Sequence, residues 1–551
     1  MHILLYVPDN EVARNFIPQL WPFLLQRLTP EGHQVTIIDG NATHYSAREL
    51  VDFIVQNRVD LVGMGFMTRM AQSAYRMAAA IRQETPVSIV MGGPHVTEVP
   101  DEPLGLTGHP QYADAVVVGE ADETWPQVVR DAALHQLQKV YQSATVNGGI
   151  VRPTLNNYPI VDWEKLDLAL FNLMRYVPPY VKKLLRYLGF NYDNVYAIPV
   201  ESGRGCPYGC EFCTVTSFFG KQIRFRDNQN VIAELLRLKA MAKQNNGLLM
   251  VFFVDDNFAV NRQRLKSLLR DMLRHDACVP WTGQISMNLL GDEELLQLIA
   301  ASGGRWIFAG LESVNPESLK EAHKDFNKPD EYKAILNGLA KYNLYAITSF
   351  IYGMEADEPG VSQKTIQEVA TWPPGLPVFG LLTPYPATPL YDRLRDSGRL
   401  TRPEHWLDFQ AFKAAFLPKG LSADEAEAEI RHSWTHCYAP AAFRNAQRWL
   451  LENHKSFGYQ LMHFVARLLF RGIYFPQMNR WAWIKLLAQN VHTIGSLVRC
   501  GWRAQRKKKK AYPQAASVPD HSPCLPIPTP LNAQEPTEEW KGRVRDGMRV
   551  G

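Results

Sequence analysis

The sequence has no long stretch of uncharged apolar residues. None of its 551 residues lies in a charge-free apolar run of eighteen, roughly the length that a helix needs to span a bilayer. The amino terminus reaches Pro8-Asp9 after a short apolar segment, too early for the apolar region of a signal peptide. We therefore expect a cytoplasmic protein without a membrane-spanning segment.

Cysteine is scarce and unevenly placed. Only seven are present, three of them between residues 206 and 213. The others, Cys278, Cys437, Cys500 and Cys524, are scattered, and residues 1–145 contain none. Isolated cysteines do not form a disulfide framework, which indicates a reducing compartment.

The chain also has no large excess of charge of either sign. Its 59 Lys and Arg and 55 Asp and Glu give a net charge of +4, which argues against a broadly polyanionic partner, so we expect no nucleic-acid ligand. The 46% hydrophobic and 21% charged residues are ordinary for a globular protein. The length predicts two to four domains, at roughly 150 residues each.

Residues 1–145 alternate short apolar segments with helix-length segments. This alternation predicts a parallel, doubly wound, Rossmann-like α/β sheet that is buried on both faces. Ligands of such sheets bind beyond the carboxyl ends of the strands. The predicted strands are Ile3–Val7, Val35–Ile38, Leu61–Phe66, Val87–Met91 and Ala115–Val118.

Three of these strands in succession end in small residues, which leave room for a flat ligand at the edge of the sheet. No Gly-x-Gly-x-x-Gly follows the first strand, so a nicotinamide site is not expected. The three ends are Gly63-Met64-Gly65, Gly92-Gly93-Pro94-His95 and Gly119-Glu120-Ala121-Asp122-Glu123.

The segment Cys206-Pro207-Tyr208-Gly209-Cys210-Glu211-Phe212-Cys213 places three thiols in one loop. Iron–sulfur cubanes are held by cysteine thiolates, usually four of them. Three ligands leave one iron open to a substrate, as catalytic zinc sites leave one position open. A zinc site, the alternative, needs a fourth ligand and usually two Cys-x-x-Cys pairs.

This spacing, with an aromatic residue before the last cysteine, resembles the signature of the radical S-adenosylmethionine (radical SAM) enzymes. The resemblance implies that Cys206, Cys210 and Cys213 hold a 4Fe-4S cluster whose open iron chelates SAM. The reduced cluster would then cleave SAM to a 5′-deoxyadenosyl radical. Phe212 is expected to shield the cluster or pack on adenine, with plain core packing as the alternative.

From Val195 onward the alternation resumes, with six strand–helix units that resemble the partial (βα)6 barrel of radical SAM enzymes. Barrels of this kind place their chemistry at the carboxyl ends of the strands. The predicted strands are Val195–Val200, Leu249–Asp256, Trp281–Met287, Trp306–Glu312, Ile347–Met354 and Val378–Pro386.

The resemblance implies that SAM is bound at these strand ends by Asp255, Ser286, Glu312 and Gly353. Acidic residues at such positions also cap the next helix, and for Asp255 this alternative stays open. Arg224 and Arg226 either pair with the SAM carboxylate or lie solvated at the start of the next helix.

The turn Gly92-Gly93-Pro94-His95 and the Gly-Glu-x-x-Glu end of the fifth strand resemble the cobalamin-binding domain that precedes many radical SAM barrels. This implies cobalamin contacts for Gly65, Gly92, Gly93, Gly119 and Glu120. An Asp-x-His-x-x-Gly motif, which would supply a histidine to cobalt, is absent, as is common in the radical SAM members. A Rossmann-like domain that has lost its cofactor is the alternative.

We predict a cobalamin domain over residues 1–145, a linker over 146–190 and the barrel over 191–400. A helical region rich in aromatic and basic residues follows over 401–505, and a Pro-rich tail over 506–551 is expected to be disordered. Two interpretations of the helical region stay open: a cap over the open end of the barrel, and a basic amphipathic surface in peripheral contact with a membrane.

These features together predict an enzyme with a 4Fe-4S cluster, SAM and cobalamin as cofactors. Our hypothesis is methylation of an unactivated carbon in a lipid or tetrapyrrole-like small molecule, by hydrogen abstraction and methyl transfer from methylcobalamin. An electron donor such as flavodoxin or ferredoxin is expected. The alternatives are a non-methylating radical SAM enzyme, such as an anaerobic tetrapyrrole oxidative cyclase, and a cobalamin- or redox-sensing binding protein. An RNA methylthiotransferase is disfavoured, because its first domain should carry three cluster cysteines.

Overall fold

Two parallel sheets in series, followed by helices, make up the part of the chain that the structure describes. This computed structural model describes residues 1–10, 17–143, 145–146, 149–156, 158–245, 247–401, 406, 409, 412–474 and 479–511. Within those ranges no helix is both long enough and apolar enough to cross a membrane.

The first sheet has six parallel strands in the order β2-β1-β3-β4-β5-β6. The five predicted strands are confirmed, and β6 adds a sixth at the edge. No sequence pattern predicted β6, because this strand has three residues and buries only its central Tyr141. The strands are β1 (His2–Val7), β2 (Gln34–Asp39), β3 (Leu61–Gly65), β4 (Ser88–Gly92), β5 (Ala115–Val118) and β6 (Val140–Gln142).

Helices cover both faces of this sheet. Side chains alternate along β1, so that Leu4 and Tyr6 enter one apolar cluster and Ile3 and Leu5 enter another. This is the double burial expected of a parallel sheet. The helices are α1 (Leu20–Leu28), α2 (Ala47–Gln56), α3 (Ala71–Glu84), α4 (Pro94–Glu98) and α5 (Trp125–Ala133).

The described part of the linker contains a short antiparallel pair, two 3-10 turns at Trp163–Lys165 and Leu173–Tyr176, and an α-helix. The pair is β7 (Thr145–Val146) with β8 (Gly149–Ile150), and the α-helix is α6 (Pro179–Tyr187). The apolar residues Val181 and Leu185 of α6 are fully buried against the carboxyl-terminal helices.

The second sheet has six parallel strands in chain order, from β9 at one edge to β16 at the other. Because these two strands do not pair with each other, the sheet is the open, partial barrel that was predicted. A two-stranded antiparallel ribbon, β10 with β11, follows β9. The strands are β9 (Asn194–Val200), β10 (Gly203–Arg204), β11 (Arg224–Phe225), β12 (Gly247–Phe253), β13 (Trp281–Gln284), β14 (Gly304–Glu312), β15 (Tyr345–Tyr352) and β16 (Leu376–Leu381).

Helices alternate with these strands and cover the outer face of the sheet. Their apolar sides and the strands share one large core, in which Trp281 packs edge-on against Phe253 and Phe258. The helices are α7 (Val215–Phe218), α8 (Asn228–Gln244), α9 (Arg262–Arg274), α10 (Glu293–Ala301), α11 (Pro316–Glu321), α12 (Pro329–Lys341), α13 (Val361–Ala370) and α14 (Pro389–Asp396).

The carboxyl-terminal helices pack at the β16 edge and at the amino-terminal end of the barrel. The Trp434 indole donates to the Phe379 carbonyl in β16, and His463 packs against Tyr345, the first residue of β15. The predicted cap over the open end of the barrel is therefore not confirmed for these helices. They are α15 (Ala423–Cys437), α16 (Pro440–Glu452), α17 (Phe457–Leu469), α18 (Arg480–Gln489) and α19 (Val491–Ala511).

The predicted start of the tail at residue 506 falls inside α19, which continues through the lysine run to Ala511. Residues 512–551 lie outside the described residues. At the opposite end of the barrel, the segment around Leu400 and Phe416 packs with Met354 and Leu382. The same apolar cluster contains Leu390, Tyr391 and Leu394 of α14, so this segment and α14 both adjoin the carboxyl ends of β15 and β16.

Gly93, between β4 and α4, provides a test of the first domain. Its φ of +94° and ψ of −177° lie in a region open essentially to glycine. A Cβ there would also lie 2.8 Å from the Phe66 nitrogen. We expect Gly93→Ala to lower the free energy of unfolding by about 3 kcal/mol, measured by urea denaturation of the metal-free protein.

Gly108 is the matched control, because its φ is +85° but a Cβ there would meet nothing within 4 Å. Gly108→Ala should cost only the backbone strain, about 1 kcal/mol. Equal losses for the two variants would contradict the steric argument at Gly93.

Candidate active site

The three-cysteine loop leaves the carboxyl end of β9 and is closed at its base by the β10–β11 ribbon. In the ribbon, Arg204 pairs with Arg224, and the three cysteines lie in the chain between them. The Cys206 nitrogen donates to the Gly220 carbonyl at 3.3 Å. Gly205 has a φ of +94°, and a Cβ there would lie 2.4 Å from the Gln222 oxygen, so this position requires glycine.

All three cysteines are half-buried free thiols. Burial raises the pKa of Cys206 and Cys213, and raises the pKa of Cys210 to about 11. The positive charge of Lys324 opposes this effect at each thiol. Metal ligation requires thiolates, so Lys324 favours the form that binds iron.

These thiols fit a 4Fe-4S cluster. They interact electrostatically with one another, so one loop brings them together. In the described ranges no three His, Cys, Asp or Glu side chains are close enough to share a single metal ion. A cubane does not need such a group, because each thiolate attaches to its own iron.

Glu312 lies at the end of β14 with a buried and partly unused carboxylate. Its backbone has a φ of +64°, a strained conformation for a residue other than glycine. One carboxylate oxygen accepts from the Lys324 ammonium, while the other, Oε2, is buried without a hydrogen-bond partner. A buried orphan acceptor is a place for a ligand's donor, and the α-ammonium of SAM is a donor of this kind.

Lys324 is a residue of the candidate site that the sequence analysis missed. It lies in the loop between α11 and α12 and is 9% exposed. Its pKa is affected by burial, which lowers it, and by Glu312 and Cys210, which raise it, with a net increase. No spacing pattern marks this lysine, because its partners lie on β14 and in the cysteine loop.

Asp255 and Asp256 have different roles in the structure. Both oxygens of Asp255 accept from Ser202, through its nitrogen at 2.7 Å and its hydroxyl at 2.6 Å. Asp256 instead accepts from the nitrogen of Gly205 in the cysteine loop at 2.9 Å. Burial raises the pKa of Asp255 to about 6 and that of Asp256 to about 7. Asp256 is therefore the carboxyl group that contacts the loop, and β12 ends before either residue.

Ser286 and Gly353 follow the carboxyl ends of β13 and β15, on the same edge as the cysteine loop. The Ser286 hydroxyl accepts from the Asn257 amide at 2.9 Å. Gly353, with a φ of +93°, donates its N–H to Asp357 at 2.9 Å. Their predicted SAM contacts stay predictions.

Phe212 is half-buried and packs with the apolar cluster that contains Met354, Leu382 and Leu390. Its neighbour Glu211 forms a two-pronged ion pair with Arg393 of α14, at 2.6 and 2.9 Å. Such bidentate pairs fix geometry as well as charge. The middle of the cysteine loop is therefore held by the helix that follows β16, a contact that the sequence did not indicate.

At the carboxyl edge of the first sheet, the four glycines that were predicted to contact cobalamin have different environments. A Cβ on Gly65 would meet the Trp21 ring at 3.0 Å, and one on Gly92 would meet Val117 at 3.4 Å. Gly93 is tight against the Phe66 backbone, whereas a Cβ on Gly119 would meet nothing within 4 Å. Gly119 opens on a cavity lined by Thr97, Val118, Glu120, Gln142, Ser143, Arg152, Ser217 and Phe218.

This cavity lies between the carboxyl end of β5 and α7, which follows the cysteine loop. The strand order also places the topological switch point of the first sheet between β1 and β3, where doubly wound sheets bind their ligands. Residues 11–16, which follow β1, lie outside the described residues. The open space beside Gly119 would let a ligand approach the strand ends, as expected for a cobalamin-binding domain.

The interpretation in which Arg224 and Arg226 lie solvated is wrong, and their predicted pairing with the SAM carboxylate stays a prediction. Arg224 forms an ion pair with Glu120 at 2.8 Å, and Arg226, 2% exposed, pairs with Glu234 at 2.8 Å. Both arginines are buried and paired within the protein, because an unpaired charge in the interior is costly.

Comparison with known protein families agrees with this geometry. The B12 binding domain model matches residues 9–129, and the Radical SAM superfamily model matches residues 200–370. The first match contains the strand ends around Gly65, Gly93 and Gly119, and the second contains the cysteine loop and Glu312.

Characterised relatives align over most of the chain. Bacteriochlorophyllide d C-12(1)-methyltransferase of Chlorobaculum tepidum is 27% identical over 66% of this chain and 72% of its own length. Hopanoid C-2 methylase of Rhodopseudomonas palustris is 24% identical over 82% and 75%. Anaerobic magnesium-protoporphyrin IX monomethyl ester cyclase of Rubrivivax gelatinosus is 24% identical over 70% and 68%.

Among solved structures, the cobalamin-dependent S-adenosylmethionine radical enzyme OxsB, with aqua-cobalamin and SAM bound, superposes with a TM-score of 0.61. That match is 12% identical and covers 93% of this chain and 80% of OxsB, so it shows a shared fold. The chain belongs to the cobalamin-dependent radical SAM proteins. It is a radical SAM enzyme that also contains a B12 binding domain.

The cluster assignment predicts the effect of removing one thiol. Cys210→Ala should lose most of the iron and the visible iron–sulfur absorbance after anaerobic reconstitution, because two thiolates in a loop do not hold a cubane. Cys500→Ala, which removes a half-buried thiol from α19, is the matched control and should retain both. Equal iron content in the two variants would exclude the loop as the cluster ligand.

Proposed function

We propose that this enzyme methylates an unactivated carbon of a lipid or tetrapyrrole-like substrate. The observation that carries the proposal is the meeting of two edges: the Gly119-Glu120 end of the first sheet contacts the cysteine loop of the second. A methyl donor held at one edge and a radical source held at the other would then share one reaction space. The methyltransferases of tetrapyrroles and hopanoids among the relatives support this substrate class.

The roles of this chain's residues follow from their positions. Cys206, Cys210 and Cys213 would hold three irons of the cluster. The free oxygen of Glu312 would accept a hydrogen bond from the α-ammonium of SAM, while Lys324 holds the other oxygen of the Glu312 carboxylate. When bound, the cluster and SAM supply a 5′-deoxyadenosyl radical and cobalamin supplies the methyl group. An electron donor such as flavodoxin or ferredoxin would reduce the cluster.

The second candidate is a non-methylating radical SAM enzyme of the tetrapyrrole oxidative cyclase type. The similarity to a magnesium-protoporphyrin monomethyl ester cyclase favours it. Both candidates would use the same cofactors, so the product separates them. A sensor would bind the cofactors without cleaving SAM.

The test is an anaerobic reconstitution with iron, sulfide and hydroxocobalamin, followed by reduction in the presence of SAM with a labelled methyl group. We expect about one cobalt and about four irons per chain, and transfer of the label to a bacteriochlorophyllide or a hopanoid. Glu312→Gln should lower SAM cleavage at least about tenfold, because the buried ion pair loses its charge. Glu317→Gln, an exposed residue on α11, is the control.

Two outcomes would contradict methylation. Cleavage of SAM with cobalamin bound, but a product without the labelled methyl group, would favour the cyclase type. A cluster without bound cobalt would exclude cobalamin as the methyl donor.

We also propose peripheral contact of α18 and α19 with an anionic membrane. Trp481 and Ile484 of α18 and Val491 and Trp502 of α19 are exposed, Trp481 by 76%. Trp481 and Ile484 are three residues apart and Val491 and Trp502 eleven apart, so each pair lies on one helix face. Residues 480–511 contain no Asp or Glu, and their cations are Arg480, Lys485, Arg499, Arg503 and the run 506–510. Exposed tryptophan beside cations suits the interface of an anionic bilayer.

Sedimentation with vesicles tests this contact. The protein should bind phosphatidylcholine vesicles that contain phosphatidylserine, and the binding should weaken as salt rises. Trp481→Ser with Trp502→Ser should weaken it about tenfold or more. Leu106→Ser, at a 70% exposed position of the first domain, should leave it unchanged. Binding that is equal for vesicles without charged lipid, or unaffected by the tryptophan changes, would overturn the proposal.

A further inference from the structure

Glu120, predicted as a cobalamin contact, is bound on both of its oxygens by arginines. The Arg204 guanidinium donates to Oε2 at 2.6 Å. Arg224 donates to Oε2 at 2.9 Å and lies 2.8 Å from Oε1. Arg204 and Arg224 are paired across the ribbon at the base of the cysteine loop, so one carboxylate of the first domain joins both sides of that base.

A third arginine comes from the linker. Arg152 lies 3.3 Å from Oε1 of Glu120 and donates to the Phe218 carbonyl of α7 at 2.5 Å. At Gly220, near the end of the cysteine loop, an added Cβ would lie 2.7 Å from the Arg152 side chain. The carboxylate thus connects the first domain, the linker and the cysteine loop.

Both carboxylate oxygens of Glu120 are held by arginines. Oε2 accepts two hydrogen bonds and Oε1 accepts one, and Oε1 has a further ion-pair contact with Arg224. The side chains of Glu120, Arg204 and Arg224 are all less than a tenth exposed. The predicted cobalamin contact of Glu120 stays a prediction, and the structure adds that its carboxylate is held by arginines.

Two further carboxylates of this group of buried ion pairs contact Arg204. Asp122 accepts from it at 2.8 Å and Glu201 at 2.9 Å. Removing one charge from a buried ionic group leaves its partners without a counter-charge. The protein then loses far more stability than when one charge is removed from an exposed ion pair. Arg204 is also two residues before Cys206, so a displacement at Glu120 would reach the first cluster ligand directly.

We propose that Glu120 is a positioning residue that fixes the base of the three-cysteine loop to the carboxyl edge of the first sheet. The cysteine loop should then become disordered whenever the first domain separates from it, because one set of ion pairs holds both. The inference concerns the protein without its cofactors and does not depend on methylation, so it can fail or hold independently of the proposed function.

The experiment is hydrogen–deuterium exchange on the full-length protein without cofactors. In Glu120→Gln, the amides of residues 203–226 should exchange at least about tenfold faster, because the buried arginines lose their shared partner. Exchange in β4 should stay within about twofold of the wild type. Unchanged exchange over residues 203–226 would overturn the proposal.

Asp114→Asn is the matched control. Asp114 also pairs with an arginine, Arg82 at 2.8 Å, and accepts from the Ile89 nitrogen at 2.8 Å, but both partners lie within the first domain. The control should leave the cysteine loop unaffected. Faster loop exchange in this variant, equal to that in Glu120→Gln, would attribute the effect to general loss of stability and overturn the specific role.

Two further variants test the contact between Glu120 and Arg224, and the first of them does not require Glu120→Gln to fold. Arg224→Lys keeps the charge but loses the two-pronged contact, and should accelerate loop exchange about threefold or more. Glu120→Gln with Arg224→Gln removes one charge of each sign, so its effect should be smaller than the sum of the single effects. If Arg224→Lys does not accelerate loop exchange, or if the effects in the double variant are strictly additive, the positioning role of Glu120 is contradicted.

Discussion

The buried ion pairs around Glu120 are the constraint on which the arrangement of the two sheets depends. Three arginines from the linker and from the base of the cysteine loop converge on one carboxylate of the first domain. In an interior of low dielectric these charges are stable only together. They set the carboxyl edge of one parallel sheet against the carboxyl edge of the other, and both edges are where such sheets bind ligands.

Paired charges and hydrogen bonds of buried carboxylates also hold the cysteine loop in place. Glu211 and Arg393 tie its middle to α14, Asp256 holds Gly205, and Lys324 lies between Glu312 and the thiols. The loop is therefore held at its base, its middle and its side by elements that are far apart in the sequence. One buried oxygen of Glu312 has no hydrogen-bond partner among the described residues, so a ligand's donor fits there.

Much of the fold was predictable because its signals are local. Apolar runs of strand length separated by helical segments gave five strands of the first sheet and all six of the barrel, with ends that differ by a few residues. The short edge strand β6 escaped because it buries a single side chain. The position of the carboxyl-terminal helices could not be predicted, because a helix pattern gives an apolar face but not the surface that it covers.

The sequence by itself determined the cysteine spacing, the glycines at the strand ends and Glu312, because each depends on residues close together in the chain. Only the tertiary structure decided that Glu120 binds three arginines, that Asp256 and not Asp255 contacts the loop, and that Lys324 faces the thiols. The physical reason is that buried charges choose partners by distance in space. Glu120 and Arg224 are 104 positions apart in the chain, and no local pattern records such a pair.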